Sequence, residues 1–312
     1  MRIKIIGLFG ILCSLIGNQA MSYAPTYEDL QKQGMIHHLK EKDLQKKFIE
    51  TSAGKLAYYE TSGTEGPLVL IHGNSCSKEY MIRQLDGLGL KYKMYAFDLP
   101  GHGESENARH PSHNYTLTGY AKVIAEAIRK LKIEPVIVVG WSLGGHIGIE
   151  MMKADPGVLK GVLIASTAAF TPTEQGFKEA YLPTFKTPLS LKLEPFTQED
   201  VKAYITQGAI DFDQYRILMD ASLRAHGLAR HTMVHDVLRG EGVDEKKVVE
   251  TSPIPLGIIM GAHEHAINND YVKSLKYKNC KMIEAIDAGH DCQWSHPKEF
   301  NELIERFVSQ LH

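Results

Sequence analysis

Gly140-Trp141-Ser142-Leu143-Gly144 sets a hydroxyl between two glycines, directly after the apolar run 136–139 and ahead of a helical pattern from Gly145 to Ala154. A strand-to-helix turn of this G-x-S-x-G form pushes its serine out of the sheet edge with strained backbone angles, and glycines flank it because Cβ atoms there would collide with neighbouring chain. Ser142 is therefore the candidate nucleophile for acyl transfer. A serine hydroxyl needs a base. His290 follows the apolar run 282–285 in Ala288-Gly289-His290, just ahead of the last helical pattern. The chain has 15 histidines, and His37, His38, His226, His231 and His235 lack this placement and read as surface or packing residues. The orienting acid should follow the run 256–260, where Gly261-Ala262-His263-Glu264-His265 offers one carboxylate, Glu264. Its task would be to accept the Nδ1 proton of His290, fix the tautomer and stabilise the imidazolium. Asp287 and Asp291 are rivals by proximity, but residues so near His290 in the chain would have difficulty turning to face its ring. The chain order serine, acid, histidine is one of the known triad orders.

Attack on a carbonyl leaves negative charge on its oxygen, which preorganised N–H donors must meet. Two backbone groups are expected to form this oxyanion hole: the N–H of Leu143, at the start of the helix after the nucleophile, and the N–H of Asn74, after a strand ending in His72-Gly73. The turn from Asp98 through Gly103 is assigned to scaffolding. His263-Glu264-His265 looks like a metal-ligand cluster, but H-E-x-x-H would need a histidine at 267, where the chain has Ile267, and no Cys-x-x-Cys occurs. No metal is expected. Nor is a nucleotide cofactor, because the sequence holds neither a P-loop nor the glycine fingerprint after its first strand.

Bringing residues 142, 264 and 290 together requires parallel strands, which deliver their carboxyl ends to one sheet edge. Short apolar runs at 68–71, 94–97, 136–139, 162–165, 256–260 and 282–285 alternate with helical patterns, including 118–131 and 297–311. This alternation predicts an α/β fold with a mostly parallel central sheet and helices on both faces. Residues 168–251 break it with helix-like patterns, several prolines and no convincing strand. They read as an inserted helical cap, with one helix at 198–207 and one or two more at 215–239, dividing a core of 45–167 and 252–312. Such a cap would set substrate choice.

The chain of 312 residues carries 35 Lys+Arg against 37 Asp+Glu, a net charge of -2. That balance excludes the broad basic field a nucleic-acid binder uses to track phosphates and favours a small partner of little charge. Arg2 and Lys4 precede an apolar run at 5–16 and the small, polar stretch Gly17-Asn18-Gln19-Ala20. This is a signal-peptide pattern, too short to span a bilayer, so residues 1–20 predict export without stable membrane insertion after cleavage. The remaining cysteines, Cys76, Cys280 and Cys292, are odd in number, and Cys280 with Cys292 either pair or stay free thiols.

His72-Gly73-Asn74, the turn 98–105 and Gly140 to Gly145 together resemble the α/β-hydrolase superfamily. Within it, the run from Gly140 to Met151 and the loop His72-Gly73-Asn74-Ser75 are similar to the α/β-hydrolase-type N-acyl homoserine lactonases, metal-independent quorum-quenching enzymes. The likeness extends to Gln175-Gly176-Phe177-Lys178 and to Glu199 through Tyr204. It implies a glutamate acid, matching Glu264, and a phenol at Tyr204 reaching from the cap to the substrate's lactone or amide oxygen. The chain departs from that family where His290 is followed by Asp291-Cys292-Gln293-Trp294 in place of small and apolar residues, and in its signal peptide. The reading that results is an exported serine hydrolase acting on a small-molecule acyl ester or lactone. Two others stand beside it. One is another carboxylesterase or a prolyl aminopeptidase-like hydrolase, whose amine anchor would come from Glu174, Glu179 or Asp211. The other is a binding protein on a hydrolase scaffold, against which an intact Ser142, Glu264 and His290 argues.

Overall fold

The computed structural model describes residues 25–185, 187–205 and 211–311. The signal-peptide pattern at 1–20 lies outside the described residues. Eight strands form one sheet: β1 Leu44–Thr51, β2 Gly54–Thr61, β3 Glu65–Ile71, β4 Tyr92–Phe97, β5 Val136–Trp141, β6 Leu159–Ala165, β7 Leu256–Gly261 and β8 Cys280–Ile286. Their order is β1-β2-β4-β3-β5-β6-β7-β8. β1 pairs with β2 and β2 with β4, both antiparallel, and every pairing onward from β4 through β3, β5, β6 and β7 to β8 is parallel.

Alternation along the central strands divides the core in two. Val69 and Ile71 of β3, with Val136 and Val138 of β5, join one apolar cluster, while Leu68, Leu70, Ile137 and Val139 join the other. A strand buried on both faces must be apolar at every position, which is why these segments appear in the sequence as continuous apolar runs. The helices Leu117–Leu131 and Leu143–Ala154 cover the first face, and Ile82–Leu88 and Pro297–Ser309 cover the second. The expected α/β architecture is the one the chain adopts. The last helix stops at Ser309, two residues short of expectation, with Phe300, Ile304 and Phe307 fully buried as its spacing requires.

The hairpin of β1 and β2 is absent from the strand expectations. Leu44–Thr51 is an edge strand whose Gln45, Lys46 and Phe48 are exposed, so it shows alternation in place of an apolar run. Between β6 and β7 the described residues contain six helices and no strand of the sheet. The helix expected at 198–207 is described as Gln198–Ile205, residues 206 and 207 lying outside the described set. The stretch 215–239 resolves into two helices, Phe212–Arg224 and Gly227–Leu238. They separate where the His226 N–H donates to Gly101 O at 2.8 Å and where a Cβ on Gly227 would lie 1.9 Å from Leu193 O. Cys76, Cys280 and Cys292 are all free thiols, Cys76 and Cys292 being buried.

Candidate active site

Ser142 sits between β5 and the helix Leu143–Ala154 with φ 53° and ψ -116°, a backbone conformation that costs a residue with a Cβ about 1–3 kcal/mol. The surroundings hold it there. Its N–H donates to Ala165 O at 2.9 Å, and its carbonyl accepts from Thr167 Oγ1 at 3.0 Å. Close approach explains the glycines: a Cβ on Gly140 would lie 2.1 Å from Gly144 O, and one on Gly144 would lie 2.1 Å from Ile71 O. The elbow can therefore press against β3 only because side chains are missing at both positions.

His290 and Glu264 meet. Nδ1 of His290 lies 2.8 and 3.0 Å from the two carboxylate oxygens of Glu264. Burial alone would raise the Glu264 carboxyl, yet the charge and hydrogen bond of His290 and the N–H of Ala266 overcome it and hold the group down at about 2. Burial likewise pushes the imidazole down, and Glu264, helped by the charge of Asp291, more than reverses this, leaving His290 above its ordinary value. The rival acids go elsewhere. Asp287 pairs with His263 at 2.7 Å on the surface, and Asp291 accepts from the Tyr80 hydroxyl at 2.8 Å. The loop carrying His290 is tied to the elbow by Trp141 Nε1, which donates to His290 O at 2.9 Å. Ser142 and His290 line one pocket, with no hydrogen bond between their side chains among the described residues. Such contacts are often loose before substrate arrives and tighten in the complex.

Asn74 and Leu143 line the same pocket. Neither backbone N–H has a hydrogen-bond partner among the described residues, whereas those of Ser142, Ser75 and Gly145 do. For Leu143 this follows from its place in the first turn of a helix. For Asn74 it follows from a loop braced by two buried histidines. His72 Nε2 accepts from the Leu99 N–H at 3.1 Å and its Nδ1 faces Gly73 O at 2.7 Å. His102 Nε2 accepts from the Ser75 N–H at 3.3 Å, with Nδ1 against Pro100 O at 3.1 Å. Both rings must be neutral with the proton on Nδ1, and burial enforces this by lowering them to about 4 and about 3. The turn after Asp98 thus acts as scaffold for the Asn74 loop. From the helix Gln198–Ile205, Tyr204 reaches the same place, its hydroxyl accepting from Asn74 Nδ2 at 3.2 Å. The rest of the wall is mainly apolar, including Phe177, Phe185, Met233 and Val237. A model of the Alpha/beta hydrolase family matches residues 68–303, which span the elbow, the acid and the histidine. The chain belongs to the alpha/beta hydrolase family.

Within that family its structure is similar to N-acyl homoserine lactonase AidH complexed with N-butanoyl homoserine, at 31% identity and a TM-score of 0.78, covering 86% of this chain and 97% of that one. A mutant of AidH complexed with N-hexanoyl homoserine matches at 30% identity and a TM-score of 0.80. Among sequences, a pimeloyl-[acyl-carrier protein] methyl ester esterase of Nitrosospira multiformis is 31% identical over 137 residues, covering 42% of this chain and 52% of that protein. The AB hydrolase superfamily protein YisY of Bacillus subtilis is 22% identical over 277 residues, or 83% and 98%.

Several pocket residues of this hydrolase escaped the sequence reading. Asp291, a rival acid by its place beside His290, lines the pocket, as does His265, whose ring centroid lies 5.8 Å from that of His290. His146, one helical turn beyond Ser142, bonds the Tyr181 hydroxyl at 2.6 Å and Glu245 at 2.8 Å. Its four-residue offset from the nucleophile was a usable signal, because residues so spaced share a helix face. The acids considered as amine anchors do not line the pocket. Glu174 pairs with Lys178, Glu179 accepts from Gln175, and Asp211 holds Arg83 and Trp294. Among the described residues no group of three or more His, Cys, Asp or Glu side chains converges as metal ligands would.

Proposed function

We propose that this protein is a serine hydrolase that opens N-acyl homoserine lactones through an acyl-enzyme. The observation that carries the reading is the convergence of Ser142 and His290, whose Nδ1 is held by Glu264, on one largely apolar pocket, supported by similarity to AidH along nearly the whole described chain. In the proposed sequence, His290 Nε2 takes the hydroxyl proton as Ser142 Oγ attacks the lactone carbonyl. The oxyanion is met by the N–H groups of Asn74 and Leu143, and His290 then protonates the ring oxygen as it leaves. The alcohol stays tethered to the acyl group, and water, activated by the same imidazole, releases the ring-opened product. Nucleophile, base and acid are all side chains of this chain, so the scheme calls on no metal.

Tyr204 is assigned to the substrate's lactone or amide oxygen. Because Asn74 Nδ2 donates to its hydroxyl, the phenolic proton is available to the pocket, and burial, which raises its pKa, keeps that proton in place. Tyr204→Phe should lower kcat/KM on lactones about 2- to 12-fold, the range for one neutral hydrogen bond to substrate. An unchanged value would leave Tyr204 a packing residue. The deciding experiment is proton release from N-acyl homoserine lactones of several chain lengths beside p-nitrophenyl esters, with Ser142→Ala as control. Ser142-dependent opening of the lactones is the expected result. Turnover of the esters alone would favour the second reading, a carboxylesterase, to which the similarity with the pimeloyl methyl ester esterase points. The pattern at 1–20 adds export to the proposal, tested by the mature amino terminus in a periplasmic or culture fraction.

A further inference from the structure

Asp291 follows His290 directly and is the single carboxylate among the described residues lining the pocket. An anion in a mainly apolar wall is costly unless hydrogen-bonded. One of its oxygens, Oδ1, accepts from the Tyr80 hydroxyl at 2.8 Å. That hydroxyl cannot do otherwise: Gln214 Nε2 donates to it at 2.6 Å, which directs the phenolic proton to Asp291. The Tyr80 ring packs against Trp141 and Trp294, with centroid separations of 4.9 and 5.0 Å. The carboxylate is thus set in one orientation by a partner that cannot turn away. Its other oxygen, Oδ2, has no hydrogen-bond partner among the described residues and is not sealed from solvent. Two other hydroxyls of the wall already donate or bond within the protein, Tyr181 with His146 and Ser222 with the Ser75 carbonyl. A preorganised acceptor with an open valence beside the reacting groups is what recognition of a substrate donor requires.

We propose that Asp291 Oδ2 receives an N–H carried by the substrate on the carbon next to the scissile carbonyl, so that the enzyme selects acyl donors with an amide nitrogen there over their oxygen isosteres. Asp291 lines the same pocket as Ser142 and His290, between which the scissile carbonyl must lie, and the proposal sets the substituent on the carbon next to that carbonyl against its free oxygen. An oxygen isostere would present lone pairs to a carboxylate, which adds repulsion to the lost bond. Homoserine lactones carry their amide nitrogen at this carbon. The inference rests on the hydrolase reading above, though it needs only the Ser142 chemistry and not the lactone ring.

The test compares kcat/KM on two isosteric pairs: N-butanoyl homoserine lactone with 2-butanoyloxy-butyrolactone, and the p-nitrophenyl esters of N-butanoylglycine and butanoyloxyacetic acid. Because each oxygen isostere carries a second ester, turnover is scored by product analysis at the lactone or p-nitrophenyl bond alone, and intrinsic reactivity differences then cancel when the N–H to O ratio is compared between wild type, Asp291→Ala and Asp291→Asn. We expect the ratio to fall roughly 10- to 100-fold in Asp291→Ala, the range for a hydrogen bond to a charged group. Asp291→Asn, which keeps an acceptor oxygen, should fall between. Loss of rate on both members with the ratio unmoved would overturn the proposal, since that is what a purely structural tie to Tyr80 would give. Should Asp291→Ala fail to fold, Asp291→Asn decides the matter in the same way. Inert lactones beside a p-nitrophenyl pair that still shows the falling ratio would defeat the lactone substrate and leave the Asp291 assignment standing. Absence of Ser142-dependent turnover on all four compounds would overturn both.

Discussion

Ser142→Ala should lower kcat by about five to six orders of magnitude, because the nucleophile, base and acid of such a site act as a unit and removal of the serine leaves only binding and the oxyanion donors. The same position offers a second readout. At φ 53° the serine backbone is strained, and alanine inherits the strain because it keeps a Cβ. Glycine does not. Ser142→Gly relieves about 1–3 kcal/mol and gives back roughly 0.5–1 kcal/mol in the backbone entropy of the unfolded chain. It should therefore be as inactive as Ser142→Ala yet melt slightly higher, by about 1–3 °C for a protein of this size. Turnover assays with thermal unfolding of the three proteins check both halves. Ordinary turnover by Ser142→Ala would remove Ser142 from the mechanism. A glycine variant melting below the alanine variant would mean that the elbow carries no such strain.

Ser142 and the strand before it were legible because the local sequence over-determines the local geometry. An apolar run fixes β5, and two glycines are needed where Gly140 and Gly144 touch bare backbone. Strands buried on both faces were legible for the same reason. The β1–β2 hairpin was not, since its outer strand alternates polar and apolar residues as an edge should. Glu264 could be located because it follows one parallel strand and His290 the next, so the topology alone brings them to one edge. The support of Asp291 could not. Tyr80, Gln214 and Asp291 are separated by more than a hundred residues on one side and more than seventy on the other, and nothing local to any of them signals the others. Side-chain networks of this kind are products of tertiary packing, and a composition or periodicity argument has no purchase on them.

Glu264→Gln should lower kcat by about 10³- to 10⁴-fold with Ser142 and His290 still in place. A neutral amide neither stabilises the imidazolium nor enforces the tautomer that leaves Nε2 free to accept a proton. The pH profile should move as well, and its direction is fixed by the site. His290 must be neutral to act as base, so kcat/KM falls on the acid side as pH drops through its pKa. Burial pulls that pKa down and Glu264, with the charge of Asp291, more than restores it. Without the Glu264 charge, burial is opposed only by Asp291, the pKa of His290 drops, and the residual activity should persist to lower pH than in the wild type. Stability carries the matching signature. Because Glu264 is held down at about 2, its contribution is present above the ordinary carboxylate value and is lost as pH falls through about 2; the opposite holds for His290, whose raised pKa stabilises the fold below its ordinary value and ceases to do so as pH rises. Between pH 4.5 and about 2 the wild type should therefore lose more stability than Glu264→Gln, by on the order of 2–3 kcal/mol. Rate profiles and melting curves across that range measure both. An acid limb that stays in place, or moves upward, would mean that another group sets the charge state of His290 and that Glu264 is a structural neighbour of the imidazole.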